Sequence, residues 1–366
     1  MTKVAIILGT RPEIIKMSPI IRACKAKQVD YFILHTGQHY SYEMDQAFFN
    51  DMELPEPKYN LDVGSGTHAV QTAKILTGIE EVLIKEKPDV VLVQGDTNTV
   101  MAGALAASKL HIKIGHVEAG LRSYDRSMPE EINRIIADHI SDYLYAPTET
   151  TRQNLLKEGI PDEKIFVTGN TVVDAVYQNL EISKKHMDVL SQLNISPKEY
   201  FLVTMHRAEN VDVKERLSSV LDALNELIKI YNIPVIFPMH PRTRKMIQEF
   251  NLSSGKITVI NPIGYLEFLQ LEENAKVILT DSGGLQEEGC ILGTPCVTLR
   301  DNTERPETVD IGANVLAGTD KLQIMNCVSG VHGGSRWHNP FGDGFASIQI
   351  LSTLQNNYHT GDSHYE

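Results

Sequence analysis

At 366 residues with 42% hydrophobic side chains, the chain can bury two cores, and length alone favours two domains over one. A formal charge of −13 argues against nucleic acid or an anionic membrane as partner. Cys24, Cys290, Cys296 and Cys327 form no C-x-x-C pair, and no apolar run is long enough to span a bilayer. The expectation is therefore a cytoplasmic protein with reduced thiols, no disulfide and no metal site.

The first apolar run, 4–8, reads as a strand leading straight into Gly9-Thr10-Arg11-Pro12-Glu13. Pro12 suits the first turn of a helix, which would put Arg11 and Lys16 near a helix N-terminus, where an anion is favoured; Lys16 alone also fits a solvated basic face. Further strands are expected at 31–35, 90–94, 113–117, 143–146 and 165–167, with helix-length segments between them. Polar clusters follow them: Thr36-Gly37-Gln38-His39, Gly95-Asp96-Thr97, and Glu118-Ala119-Gly120-Leu121-Arg122. Together with Glu130-Glu131 they supply carboxylates, among them Asp96, Glu118 and Glu131. These could transfer protons, or cap helices and pair with Arg122 or Arg134.

The alternation restarts after a polar helical stretch, with strands expected at 201–205, 235–238, 257–260, 277–280 and 296–298. His206-Arg207-Ala208-Glu209-Asn210 follows one of these and His240-Pro241-Arg242 another. A histidine such as His206 could donate to a departing phosphate near neutral pH. Phe268 could stack on a base or simply pack in a core. The densest cluster is DSGGLQEEG from Asp281, followed after a short apolar strand by TLRDNTERPE. Gly283 and Gly284 would let the chain turn tightly and a ligand approach the main chain closely. A helix beginning there would offer N–H groups to an anion, Ser282 a hydroxyl, Glu288 an acceptor for ribose hydroxyls, and Arg305 a planar fork for a diphosphate. These residues describe a nucleoside diphosphate holder; Asp281, Ser282 and the glycines could instead simply cap a helix, but a cap would need neither the arginine nor the acid clusters that follow.

Such alternation implies parallel sheets covered by helices, in an α/β protein of two doubly wound Rossmann-like domains facing a cleft. The division is placed at residues 1–170 and 171–341. Two patterns are set aside. His116-Val117-Glu118 matches half of the zinc-deaminase signature but lacks its P-C-x-x-C partner, and Gly64-Ser65-Gly66 lacks a preceding strand and a third glycine.

Taken in order, the motifs GTRPE (9–13), TGQH (36–39), GDT (95–97), HVEAGLR (116–122), PEEINR (129–134), MHRAEN (205–210), DSGGLQEE (281–288), RDNTERPE (300–307) and NPFGDG (339–344) cover nearly the whole chain. With this set the chain closely resembles the non-hydrolysing UDP-N-acetylglucosamine 2-epimerases. The resemblance implies a glycosyltransferase B type fold, with uridine diphosphate held mainly by the second domain and a final helix, at about 342–358, packing back on the first. It implies Asp96, Glu118, Glu131 and His206 as catalytic residues. It also implies Arg11, Lys16, Phe268, Ser282, Gly283, Gly284, Glu288 and Arg305 as substrate-binding residues. The implied partners are UDP-GlcNAc and UDP-ManNAc, exchanged through a glucal intermediate by a homodimer without metal or other cofactor, for surface glycan synthesis. The chain departs from many bacterial members at Ala208 and near Ser41, positions related to a second, activating UDP-GlcNAc site. A nucleotide-sugar glycosyltransferase, the hydrolysing branch of the epimerases, and a non-catalytic nucleotide-sugar sensor are the competing expectations.

Overall fold

The computed structural model describes residues 2–38, 42–331 and 337–359. His39 and Ser41 lie outside the described residues. The chain forms two compact units, one of Met1–Gln178 with Phe341–Glu366, the other of Asn179–Pro340. The division falls inside the helix Thr171–His186, one long helix carrying the chain from one unit into the other.

In the first unit the strands are β1 (Lys3–Leu8), β2 (Asp30–His35), β3 (Tyr59–Asn60), β4 (Val90–Gln94), β5 (Lys113–Val117), β6 (Tyr143–Ala146) and β7 (Ile165–Val167). They pair in parallel in the order β3-β2-β1-β4-β5-β6-β7. Period-two geometry sends alternate side chains to opposite faces. Accordingly Val4, Ile6 and Leu8 join one buried cluster, and Ala5 and Ile7 another. Both faces are covered by helices, which is why these strands read as continuous apolar runs.

In the second unit β8 (Phe201–Thr204), β9 (Val235–Pro238), β10 (Thr258–Ile260), β11 (Val277–Thr280), β12 (Cys296–Thr298) and β13 (Asn314–Leu316) pair in the order β10-β9-β8-β11-β12-β13. Phe201 and Val203 face one core, and Leu202 faces the other. Each sheet is doubly wound, and its strand order reverses once, between β1 and β4 in the first and between β8 and β11 in the second. In open sheets of this kind, ligands bind at the carboxyl ends of the strands beside that reversal. The short strands β3 and β13, one at an edge of each sheet, were not expected from the sequence. With two or three residues each, they are held by pairing rather than by a local apolar pattern.

The last helix, Ala346–His359, belongs to the first unit. Ile350, Leu351 and Leu354 are buried in the same cluster as β1, each worth about 1.5–3 kcal/mol of burial. Buried Asp174 accepts from Ala346 N (3.2 Å), Ser347 N (3.0 Å) and Ser347 Oγ (2.7 Å), satisfying amides that open this helix. Among the described residues no helix is long and apolar enough to cross a membrane.

Candidate functional site

In the first unit the polar clusters emerge at the carboxyl ends of β1, β4 and β5, around the strand reversal. Glu13, in the first turn of the helix Arg11–Ala26, accepts from Gly9 N (2.6 Å), Thr10 N (2.7 Å) and Thr97 Oγ1 (2.5 Å). One buried carboxyl group thereby ties the loop after β1 to the loop after β4. Burial pushes Glu13 up to about 7, against the pull of Thr97 and of the Gly9 and Thr10 amides.

Asp96 follows β4 through Gly95 and pairs with Arg134. It lines a cavity of about 380 Å³ whose walls also include Gln38, His68, Asn98, Glu130 and Asn133. Glu118 follows β5, the neighbour of β4, with a backbone φ of +69°. That conformation is costly for a residue with a side chain, by about 1–3 kcal/mol, and such strain gathers at functional positions. Its carboxylate accepts from Gln94 Nε2 (2.9 Å) and meets Lys16 Nζ at 2.5 Å. Lys16 is thus not on a solvated face, since its long side chain reaches the residue that follows β5. Arg11 opens its helix with the guanidinium 5.5 Å from the centre of the Phe48 ring.

Of the adjacent pair, Glu130 lines the Asp96 cavity, whereas Glu131 turns inward and is 1% exposed. Consecutive residues on a helix point about 100° apart, which lets these two carboxylates take different surroundings. Glu131 accepts from Ser123 N (2.9 Å), Ser123 Oγ (3.0 Å), Tyr124 N (3.0 Å) and Arg134 Nη1 (3.0 Å). Burial opposes its charge, but these donors outweigh burial and hold the group below the usual carboxylate range. Through Arg134, which meets both carboxylates, Glu131 is tied to Asp96.

In the second unit the site residues again sit at a strand reversal. Asp281, fully buried after β11, accepts from His206 N (3.0 Å), Arg207 N (2.9 Å) and Asn210 Nδ2 (3.3 Å). It thereby fixes the loop after β8. Burial would raise Asp281, but His206 and these amides hold it low. His206 Nδ1 lies 3.2 Å from Asp281 Oδ1, which orients the ring. His206, Phe268 and Ser282 all line one cavity of about 220 Å³, together with Pro238, His240 and Leu285. Phe268 also packs on a hydrophobic core, so its ring has one side in the core and an edge on the cavity.

Ser282 is the N-cap of the helix Gly283–Leu292, in an extended conformation. Neither Gly283 nor Gly284 has positive φ, which corrects the expected tight turn: Ser282 makes the entry and the glycines are already helical. A Cβ at Gly284 would meet nothing closer than 3.8 Å, and one at Gly283 nothing closer than 3.4 Å. These glycines therefore leave the start of the helix bare for close approach. Glu288, half-buried on the same helix, interacts with Glu272 and Tyr265, whose burial beside it raises both well above their usual ranges. Arg305 Nε lies 2.9 Å from Glu287 Oε1, and neither Glu288 nor Arg305 lines the Phe268 cavity. Among the described residues no three His, Cys, Asp or Glu side chains converge as a metal site. Sequence reasoning passed over Glu13 and Asp281 as site residues. The spacing of Thr10 and Glu13 is a capping-box signal that could have found the first, whereas Asp281 is recognisable only from its buried amide partners.

The chain matches the model of the UDP-N-acetylglucosamine 2-epimerase family over residues 22–355. It is 59% identical over 360 residues to a UDP-N-acetylglucosamine 2-epimerase of Methanocaldococcus jannaschii, covering 96% of this chain and 98% of that one. A UDP-2,3-diacetamido-2,3-dideoxy-D-glucuronate 2-epimerase of Pseudomonas aeruginosa is 45% identical, covering 88% of this chain and 90% of the relative. Among solved structures, the Methanocaldococcus jannaschii UDP-GlcNAc 2-epimerase in complex with UDP-GlcNAc and UDP superposes with a TM-score of 0.83 at 58% identity, covering 97% of this chain and 100% of that chain.

Proposed function

The chain belongs to the UDP-N-acetylglucosamine 2-epimerase family and is an isomerase, and from that premise we propose that it interconverts UDP-GlcNAc and UDP-ManNAc for surface glycan synthesis. The route is anti elimination of UDP to a 2-acetamidoglucal, then re-addition of UDP to the same face of C1 with C2 protonated on its other face. The C1–O bond breaks with its electron pair leaving on UDP, the C2 proton passes to a carboxylate, and a C1–C2 double bond results. Re-addition returns UDP to C1 while C2 takes a proton from the opposite side.

The C2 proton is weakly acidic, so departure of UDP must run ahead of its removal, and preorganised donors to the diphosphate carry much of the barrier lowering. The second unit supplies these: the bare start of the helix after Ser282, Arg305 and His206, with Phe268 against the base and Glu288 for the ribose. Arg11 adds a further cation. Asp96 and Glu118 exchange the proton, with Lys16 paired to Glu118 and Glu131 acting through Arg134. The observation that carries this reading is that Asp96 and Glu118 end neighbouring strands at a strand reversal, one lining a cavity and the other held in a strained conformation. A diphosphate-binding module alone would need neither. The same reading makes the protein a cytoplasmic homodimer that needs no metal.

A second substrate reading comes from the Pseudomonas aeruginosa relative, whose name places the same C2 chemistry on a diacetamido uronate sugar. Chromatography of products from UDP-GlcNAc alone tests the proposal. UDP-ManNAc at equilibrium with substrate, without acceptor or chelatable ion, is expected. Turnover only with an acceptor sugar would identify a glycosyltransferase, free ManNAc as main product would identify a hydrolysing enzyme, and turnover of the diacetamido uronate alone would select the second substrate.

A further inference from the structure

His116 has no part in the chemistry above, yet it is wholly buried at the end of β5 with both ring nitrogens engaged. Nδ1 lies 2.7 Å from Asp138 Oδ1, and Nε2 lies 2.8 Å from the Gly95 carbonyl oxygen. A carbonyl oxygen can only accept. Asp138 is an acceptor too, because its other oxygen takes Arg122 Nη1 at 2.7 Å and Gly120 N at 3.2 Å. A neutral imidazole has one N–H and one lone pair, so either tautomer would press a lone pair against an oxygen in a dry core. The imidazolium satisfies both contacts.

We infer that His116 is a lasting imidazolium that acts as a positioning residue, clasping the loops that carry Asp96 and Glu118. One ring nitrogen holds Gly95, the residue before Asp96. The other holds Asp138, which holds the amide of Gly120, two residues after Glu118. Both loops leave their strands in left-handed conformations, Gly95 at φ +84° and Glu118 at φ +69°, so the clasp supports segments that local preference would not keep in place. The charge is balanced within the cluster. Asp138 faces His116 and Arg122, Glu158 meets Arg122 at 2.7 Å, and Glu118 also bears on the ring. Burial opposes the charge on His116 most strongly, but Asp138, the Gly95 carbonyl and Glu118 together outweigh it.

The functional half of this inference rests on the proposed roles of Asp96 and Glu118, and the charge half does not. Nitrogen NMR of histidine-labelled protein is expected to find protons on both ring nitrogens of His116 from about pH 6 to 9, through and above the ordinary histidine range. His116→Gln is expected to lower kcat roughly 100-fold by misplacing the carboxylates, with UDP affinity unchanged. Should that variant fail to fold, Asp138→Asn keeps the ring, removes its counter-charge, and must lower kcat in the same way. A ring nitrogen lacking its proton at neutral pH would overturn the charge, and wild-type kcat in a folded variant would overturn the positioning role. Absence of epimerase activity in the unaltered protein would sink the functional reading alone and leave the nitrogen result standing.

Discussion

Asp96 and Glu118 stand at the ends of neighbouring strands, but their surroundings differ: one is salt-bridged at a cavity wall, the other is held at positive φ beside Lys16 and Gln94. If they exchange the C2 proton, Asp96→Asn and Glu118→Gln should each lower kcat by about 10²–10⁴-fold, the usual span for a proton-transfer group. UDP affinity, measured by calorimetry, should stay within the scatter of the unaltered protein. A matching loss of UDP affinity would instead mark these carboxylates as binding groups. Glu13 provides a pH test. Its carboxyl is raised from an ordinary 4.5 to about 7, so it stabilises the fold fully below about pH 4.5 and loses that contribution as pH rises through 7. The difference corresponds to about 3 kcal/mol. Denaturant unfolding at pH 5 and pH 8 should show the unaltered protein losing stability relative to Glu13→Gln over that interval. Parallel behaviour of the two proteins would contradict it. The positions of Asp96 and Glu118 just after β4 and β5 were legible in the sequence because each follows an apolar run of strand length. The inward turn of Glu131, the Lys16–Glu118 pair and the role of Asp281 were not, because each depends on which buried donors the fold brings to a carboxylate.

At the scale of elements, two helix starts carry opposite predictions. Gly284 is helical and open, so Gly284→Ala should leave stability unchanged or raise it by about 0.5–1 kcal/mol through helix propensity. The same methyl group would obstruct an approaching diphosphate and weaken UDP binding by roughly tenfold, about 1.4 kcal/mol. Thermal melts and UDP titrations on one sample separate the two effects, and unchanged UDP binding would remove this helix start from the proposed site. Asp174 is the reverse case. Asp174→Ala removes the acceptor for the amides of Ala346 and Ser347 and should cost about 1–3 kcal/mol in denaturant unfolding. A variant as stable as the parent would show that the cap contributes nothing. Nearly every long strand could be read from its apolar run. The edge strands β3 and β13 could not, being two or three residues whose extended form comes from their neighbours. Nor could the glycine pair's conformation, because paired glycines suit a turn as well as a helix start and only the extended Ser282 decides between them.

Across the whole molecule, the same winding occurs twice, and each time the chemistry-bearing residues collect where the strand order reverses. The alternation of strand and helix announced this class of fold from the sequence. Strand order was not legible, because it depends on which edge each crossover helix chooses, and alternation is the same for either choice. The division of labour proposed here gives nucleotide recognition mainly to the second unit and proton exchange to Asp96 and Glu118 of the first. The most direct measurement of that claim is proton and phosphorus NMR of the protein with UDP-GlcNAc in deuterium oxide, without acceptor or added metal. Epimerisation through the glucal predicts UDP-ManNAc accumulating with deuterium at C2 in both sugars. UDP-GlcNAc that keeps its C2 proton and yields no UDP-ManNAc would contradict it.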